Sequence, residues 1–260
     1  MGNDDIAPIT GNGTRGTAAD GTRGTAADGT RGTAADGTRG TAADGTRGTA
    51  ADGTRGTAAV AHLELTQRRF PEGQRRIFLA AIDAFAERGF HATTTRDIAA
   101  RAGLSPAGLY VHFGSKEEVL YRISLSSMRL THQVAVAASA GSGSAADHLS
   151  AVVRDLTVWH AEHAASVRVV LHHMTDLTPE HRSEVVDLQV AIHRLVRDLV
   201  SHGLADGTFD VSDTNAVTLA LMSLCVDTAR WYQKNYRRSP EEIGADYAML
   251  ALRMVGANPA

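Results

Sequence analysis

The octamer Gly-Thr-Arg-Gly-Thr-Ala-Ala-Asp runs five times from Gly13 to Asp52, and a sixth copy, Gly53 to Ala59, meets Val60 where its Asp would stand. No copy carries an apolar side chain larger than Ala, so stacked copies have nothing to fill the interior of a solenoid. Gly, Thr and Ala with one opposed charge pair per copy cannot offset the entropy of ordering the backbone. Residues 1–65 are therefore expected to be a disordered, low-complexity tail. Residues 1–60 hold 6 Arg and 7 Asp, so the tail is no electrostatic arm either.

A core must come from the residues beyond the tail. Hydrophobic residues make up 43% of the 260-residue chain, enough for a packed interior. The single cysteine, Cys225, cannot form an internal disulfide and points to a reducing compartment. No run approaches the roughly 18 apolar residues of a membrane span, and the N-terminus shows no basic-then-apolar leader. The expectation is a soluble, cytoplasmic protein without membrane contact. Charge is uneven after the tail: residues 61–122 net +2, residues 123–260 net −4. A mildly basic headpiece on an acidic body suits a nucleic-acid contact confined to one end.

Within the headpiece, apolar residues at three-to-four spacing (Ile77, Phe78, Ala81, Ile82, Phe85) predict a helix from Glu72 to Arg88, stopped by Gly89. Thr94 or Thr95 then caps a short helix over 96–102, with Ile98 and Ala99 facing inward. Gly103 makes a tight turn and Leu104 plugs the angle between helices. Ser105 caps a third helix with Pro106 at its first position, running to about His112. Ser115-Lys116-Glu117-Glu118 reads as a capping box opening a fourth. Helix, glycine turn and short capped helix make a helix-turn-helix, whose second helix enters the major groove.

The stretch from Thr93 to Leu120, containing TTRDIAARAGLSPAGLYVHFGSKEEVL, resembles the TetR family of transcriptional regulators. Ile-Ala-x-x-Ala-Gly-Leu-Ser, Gly-x-Tyr-x-His-Phe and Ser-Lys-x-x-x-Leu stand in the family's order and spacing. The resemblance implies a three-helix DNA-binding domain over 71–131 and a C-terminal effector-binding and dimerisation domain over 132–260. It also implies that Thr95, Ser105, Ala107, Gly108, Tyr110, His112 and Lys116 lie at the DNA. The residue chemistry agrees. Small Ala107 and Gly108 permit close approach to base edges; Tyr110 offers a phenol to a phosphate oxygen; Thr95 is both a cap and a candidate phosphate donor. Lys116 supplies a point charge at a helix start. His112 either meets phosphate or packs. The recognition helix carries no Arg, Asn or Gln, so sequence choice rests on few direct contacts plus DNA shape.

Beyond Leu120 the apolar period stays helical, predicting an all-α chain of about nine helices. The fourth runs to about Ala138, before the Gly141-Ser142-Gly143-Ser144 break. Others follow over 145–164, 166–174, 179–202 (ended by Gly203 and the Asp206-Gly207 turn), 212–235 and 240–256. Stripes on the last two (Ala216, Leu219, Ala220, Ser223, Leu224 and Val226; Ile243, Tyr247, Leu250, Ala251 and Met254) predict a homodimer, and with it a palindromic operator on double-stranded DNA. The alternative is that both stripes are internal core. Around Trp231, Arg230 and Lys234 the sequence looks like TetR-type regulators of lipid and steroid catabolism, which implies an acyl-CoA thioester effector. Trp231 would line an apolar cavity, with Arg230, Lys234, Arg237 and Arg238 on the CoA phosphates; otherwise Trp231 is core and the basic end is solvated.

His160-Ala-Glu-His163 lacks the spacing of a His-Glu-x-x-His zinc site. No Gly-x-Ser-x-Gly or phosphate-binding loop appears. Neither a metal, a cofactor nor catalysis is expected. The sequence thus points to a ligand-released repressor; the alternatives are an all-α enzyme and a ligand-independent dimeric adaptor.

Overall fold

The computed structural model describes residues Phe70 to Ala257, which lie in one compact unit. The expected tail over 1–65 lies outside the described residues. Among the described residues there are nine α-helices, one 3-10 turn and no strand. They are α1 (Glu72–Ala92), α2 (Thr95–Arg101), α3 (Pro106–Tyr110), α4 (Lys116–Ala138), α5 (Ala145–Glu162), α6 (Ala164–His173), the 3-10 turn (Met174–Asp176), α7 (Pro179–Ala205), α8 (Thr214–Trp231) and α9 (Pro240–Met254). Within the first of these the backbone leaves the helix at Gly89 (φ 77°), at the predicted stop.

Caps set most of the boundaries. Thr94 and Asp97 close a reciprocal box at α2, as do Ser144 and Asp147 at α5 and Ser239 and Glu242 at α9. Such a cap stabilises by about 1 kcal/mol. Two expectations are corrected here. The cap of α2 is Thr94, which leaves the Thr95 side chain available for other contacts. The box at Ser115 is not closed: Ser115 Oγ accepts from the Glu118 backbone N–H, but the Glu118 carboxylate reaches one residue further back, to the N–H of Gly114 at 2.7 Å.

Of the two stops the sequence marks, Gly203 does not act as one: α7 continues through it to Ala205. The reason lies across the core. A Cβ built on Gly203 would run into the Phe209 ring, so the missing side chain makes room for it. The helix stops at the Asp206-Gly207 turn that the sequence also marks, with Gly207 at φ 78°. Helix α8 also ends earlier than its apolar pattern suggests. Tyr232 turns extended (ψ 134°) and buries its ring beside Ala161 and Ile243.

The interior has two main apolar clusters. The upper one joins the headpiece residues Ile77, Phe85, Ile98, Leu109 and Leu120 to Val169, Leu177 and Val185 of the body, so the headpiece is packed onto the body. The lower one gathers Leu130 and Val134 of α4, Leu156 and Trp159 of α5, Ile192 and Val196 of α7, and Leu221 of α8. Helix α4 is continuous through both. Cys225 lies in the lower cluster, and burial pushes its thiol up to about 12, the state of an inert core residue.

Candidate nucleic-acid interface and effector region

The helix-turn-helix is fixed from behind. Leu109 and Phe113 are buried against α1, and Leu104 closes the turn with its N–H on the carbonyl of Ala99 at 2.8 Å. Arg76 of α1 donates to the carbonyl of Gly103 at 3.2 Å. Arg101 holds Glu87 through both carboxylate oxygens at 2.8 and 2.6 Å. These contacts press α2 and α3 onto α1 and leave their other faces to solvent.

That outer face brings together most of the residues singled out from the sequence. The hydroxyls of Thr95 and Tyr110 lie 3.1 Å apart, joining the start of α2 to the end of α3. Ser105 and Ala107 are exposed and Gly108 is half-buried. Ser105 Oγ accepts from the N–H of Gly108 at 3.1 Å, so its exposed hydroxyl is also the cap of α3. A Cβ at Gly108 would meet only Ser105 and Leu104, at 3.4 Å or more, which is ordinary contact. The fold itself therefore leaves room for a side chain there. Val111, at 79% exposure, is an apolar group on the same end of α3.

Two of the predicted contact residues also engage the protein itself. The Lys116 ammonium donates to the carbonyls of Phe90 (2.7 Å), Thr93 (2.9 Å) and His91 (3.4 Å), and lies 4.3 Å from the centre of the Phe90 ring. It ties the start of α4 to the end of α1, satisfying carbonyls that the break at Gly89 leaves without helical partners. His112 is half-buried, its Nε2 only 2.6 Å from where a Cβ on Gly73 would stand, so the ring packs over the start of α1. Sequence reasoning passed over Arg96, which is exposed beside Thr95 and makes no ion pair among the described residues. Its position at the second residue of a capped helix was the available signal.

Polar links join this unit to the body. Glu117 accepts from the N–H of Thr178 at 3.0 Å and pairs with His181 Nδ1 at 2.9 Å. The Tyr121 ring stacks on His181 at 3.7 Å, and its hydroxyl donates to Glu184 at 2.8 Å. Burial first, and then that carboxylate, raise the Tyr121 phenol above its ordinary value. Asp176 takes His91 on one oxygen (2.9 Å) and His173 on the other (2.8 Å). Most of these partners are far apart in sequence, which is why they were not foreseen.

At the end of α8, the candidate effector residue Trp231 is half-buried among aromatic rings, edge-on to Tyr236 at 5.2 Å and to Tyr232 at 6.3 Å. Arg230 pairs with Asp227 at 3.2 Å, and Arg238 is engaged by Asp246 and the carbonyl of Glu242. Lys234 is exposed in the loop after α8, not on the helix as expected. Arg168 of α6 donates to the carbonyl of Ala229 at 2.7 Å and caps α8, another contact without a sequence signal. A surface groove of about 470 Å³ lies elsewhere, between the end of α4 and α7, lined by Ser139, Arg194, Leu195 and His202 among others.

The predicted dimer stripes divide. Ile243 and Ala251 are buried, because α9 packs closely on α5: a Cβ on Gly244 would come within 2.9 Å of the Arg154 carbonyl. Ala216, Leu219, Ala220 and Ser223 of α8, with Leu250 and Met254 of α9, remain exposed, as does Met249 beside them.

Comparison with known proteins matches residues 77–123 to the family model of bacterial regulatory proteins, tetR family, and residues 142–255 to a tetracyclin repressor-like C-terminal domain. The HTH-type transcriptional repressor KstR2 of Rhodococcus jostii is 31% identical over 180 residues, covering 66% of this chain and 85% of that protein. A crystal structure of a tetR-family regulatory protein from Rhodococcus RHA1 superposes with a TM-score of 0.69 at 36% identity, covering 73% of this chain and all of that one. The structure of AibR in complex with isovaleryl coenzyme A and operator DNA shares the fold at TM-score 0.64 and 20% identity, covering 72% and 100%. With its helix-turn-helix, its helical body and these relatives, the chain belongs to the TetR family of transcriptional regulators.

Proposed function

We propose that this protein is a homodimeric cytoplasmic repressor that binds a palindromic operator and leaves it when an apolar effector, of the acyl-CoA thioester class, enters the body. It performs no catalysis in this reading. The observation that carries the DNA part is the solvent face on which Thr95, Arg96, Ser105, Ala107, Gly108 and Tyr110 come together without help from the body. Hydroxyls and one guanidinium supply phosphate contacts, and bare backbone at Gly108 admits a base edge. Lys116 then acts by holding α4 against α1, so that the recognition helix keeps its angle. The exposed apolar residues of α8 and α9 support pairing about a two-fold axis, which presents two recognition helices to successive major grooves.

Release follows from population shift. An effector favours whichever headpiece spacing leaves its site best formed, by as much as its affinities for the two states differ. Helix α4 and the Glu117–His181 and His91–Asp176–His173 links transmit that preference. The KstR2 relatives, which are repressors by name, support the sign of regulation, and the AibR complex supports the thioester class.

The test is selection of bound duplexes from a random pool by the full chain, followed by anisotropy titration of the enriched sequence and a mass measurement in solution. An enriched inverted repeat bound by a dimer is expected, with Tyr110→Phe weakening it several-fold at unchanged melting temperature. A pool that shows no enrichment, or a monomer bound to a single half-site, would overturn the reading.

A further inference from the structure

The buried polar side chains of the body, among the described residues, are hydroxyls and imidazoles: Ser124, Ser127 and Thr131 on α4, Thr157 and His160 on α5, His193 on α7, and Thr218 and Thr228 on α8. None is a carboxylate, a lysine or an arginine. The threonines are accounted for in one way. Thr131, Thr157, Thr218 and Thr228 each donate to the carbonyl four residues earlier, at 2.7 to 3.4 Å, the usual recourse of a hydroxyl inside a helix. Thr131 also accepts from the Trp159 indole N–H at 2.9 Å.

Ser124 and Ser127 do not follow them. Both are more than nine-tenths buried, and neither Oγ has a hydrogen-bond partner. Three residues apart, they share one face of α4. They stand where the helix passes from the upper apolar cluster, through Leu120, Ile123 and Leu125, to the lower one, which begins at Leu130; Met128 touches both. Two enclosed hydroxyls thus lie side by side between two apolar regions. Enclosed polar groups without partners are rare in folded proteins, and one explanation is a ligand that completes them.

We propose that Ser124 and Ser127 are the hydrogen-bond donors for an uncharged carbonyl oxygen, such as that of a thioester or ester, on an otherwise apolar effector whose chain lies against the flanking apolar clusters. The inference rests on the reading that the body takes a small-molecule effector, and it narrows the chemistry of the end that enters. A buried carboxylate needs a cation or several donors to replace its water. Among the described residues the interior holds no buried Lys or Arg, and burial shifts both of its imidazoles, His160 and His193, toward the neutral form. Hydroxyl donors suit a neutral carbonyl. The body therefore separates a thioester from the free acid of the same chain.

The experiment uses the full chain, a panel of matched pairs (isovaleryl, octanoyl and palmitoyl, each as the CoA thioester and as the free acid) and a Ser124→Ala, Ser127→Ala double variant, with melting temperature, calorimetric affinity and operator anisotropy measured together. At least one thioester is expected to raise the melting temperature where its acid does not. The double variant should melt about 3 °C higher without ligand, because two unpartnered hydroxyls have been removed. It should bind that thioester at least tenfold more weakly and hold the operator within twofold of wild type. A variant that melts lower assigns the hydroxyls to the fold and overturns the proposal. So does unchanged thioester affinity, an acid that binds as tightly as its thioester, or a panel in which no thioester binds. In each of these cases undiminished operator binding leaves the regulator reading standing, whereas a wild-type protein that binds no operator fails that reading independently.

Discussion

His160 lies in α5 with 2% of its surface exposed, its ring beside the carbonyls of Leu156 and Cys225. Burial, reinforced by the neighbouring His163, lowers its pKa from 6.5 to about 4. Above pH 6.5 the imidazole is neutral in both the folded and the unfolded chain, and its contribution to stability is fully present. Below pH 6.5 the unfolded chain takes up a proton that the folded protein refuses, so stability is lost progressively until about pH 4, where the folded ring also protonates. Each pH unit inside that window costs about 1.4 kcal/mol, and the step from pH 7 to pH 5 costs about 2 kcal/mol per protomer from this residue alone. For a chain of this size that is a fall of about 6 °C in melting temperature. Urea unfolding at pH 7 and pH 5, at one protomer concentration because dimerisation shifts apparent stability, should be compared for wild type and His160→Gln. Carboxylates and His193, itself lowered by burial, titrate in both proteins and cancel in the difference. The variant should lose about 2 kcal/mol less than wild type over that step. Equal losses would show that the folded protein protonates His160 freely and would refute the dry interior on which both this magnitude and the neutral-carbonyl proposal depend.

Gly203→Ala forces a Cβ into the Phe209 ring and should cost about 1–3 kcal/mol, read as a lower melting temperature that Phe209→Leu partly restores. Thr94→Ala removes the acceptor for the Asp97 N–H and the donor to its carboxylate, for a loss of about 1 kcal/mol in the same assay. Arg96→Ala should leave the melting temperature unchanged, weaken operator binding on every sequence, and reduce the slope of log affinity against log salt by about 1. An unaltered slope would remove Arg96 from the phosphate contacts.

Local sequence was enough to place most helix starts, and the helix-turn-helix with them. Caps such as Ser105 and Ser115 are legible because an N-terminal donor is satisfied by a side chain within three residues, so the signal and the contact are neighbours in the chain. The exposed residues of the outer face were legible for the same reason: their placement follows from their position on a short, locally specified motif. Where a residue's role depended on a distant partner, tertiary structure alone decided it. Lys116 has the charge and position of a phosphate contact, yet three carbonyls at the far end of α1 engage it. Gly203 has the form of a helix stop, yet the Phe209 ring requires it inside the helix. The apolar period of α9 marked Ile243, Leu250 and Ala251 alike, and only the packing of α9 on α5 separated those that face the core from those left outside. Periodicity records that a face is apolar and is silent on what covers it. In the same way a serine's letter does not say whether its hydroxyl finds a carbonyl, and Ser124 and Ser127 became distinct from the threonines around them only once the helices were packed.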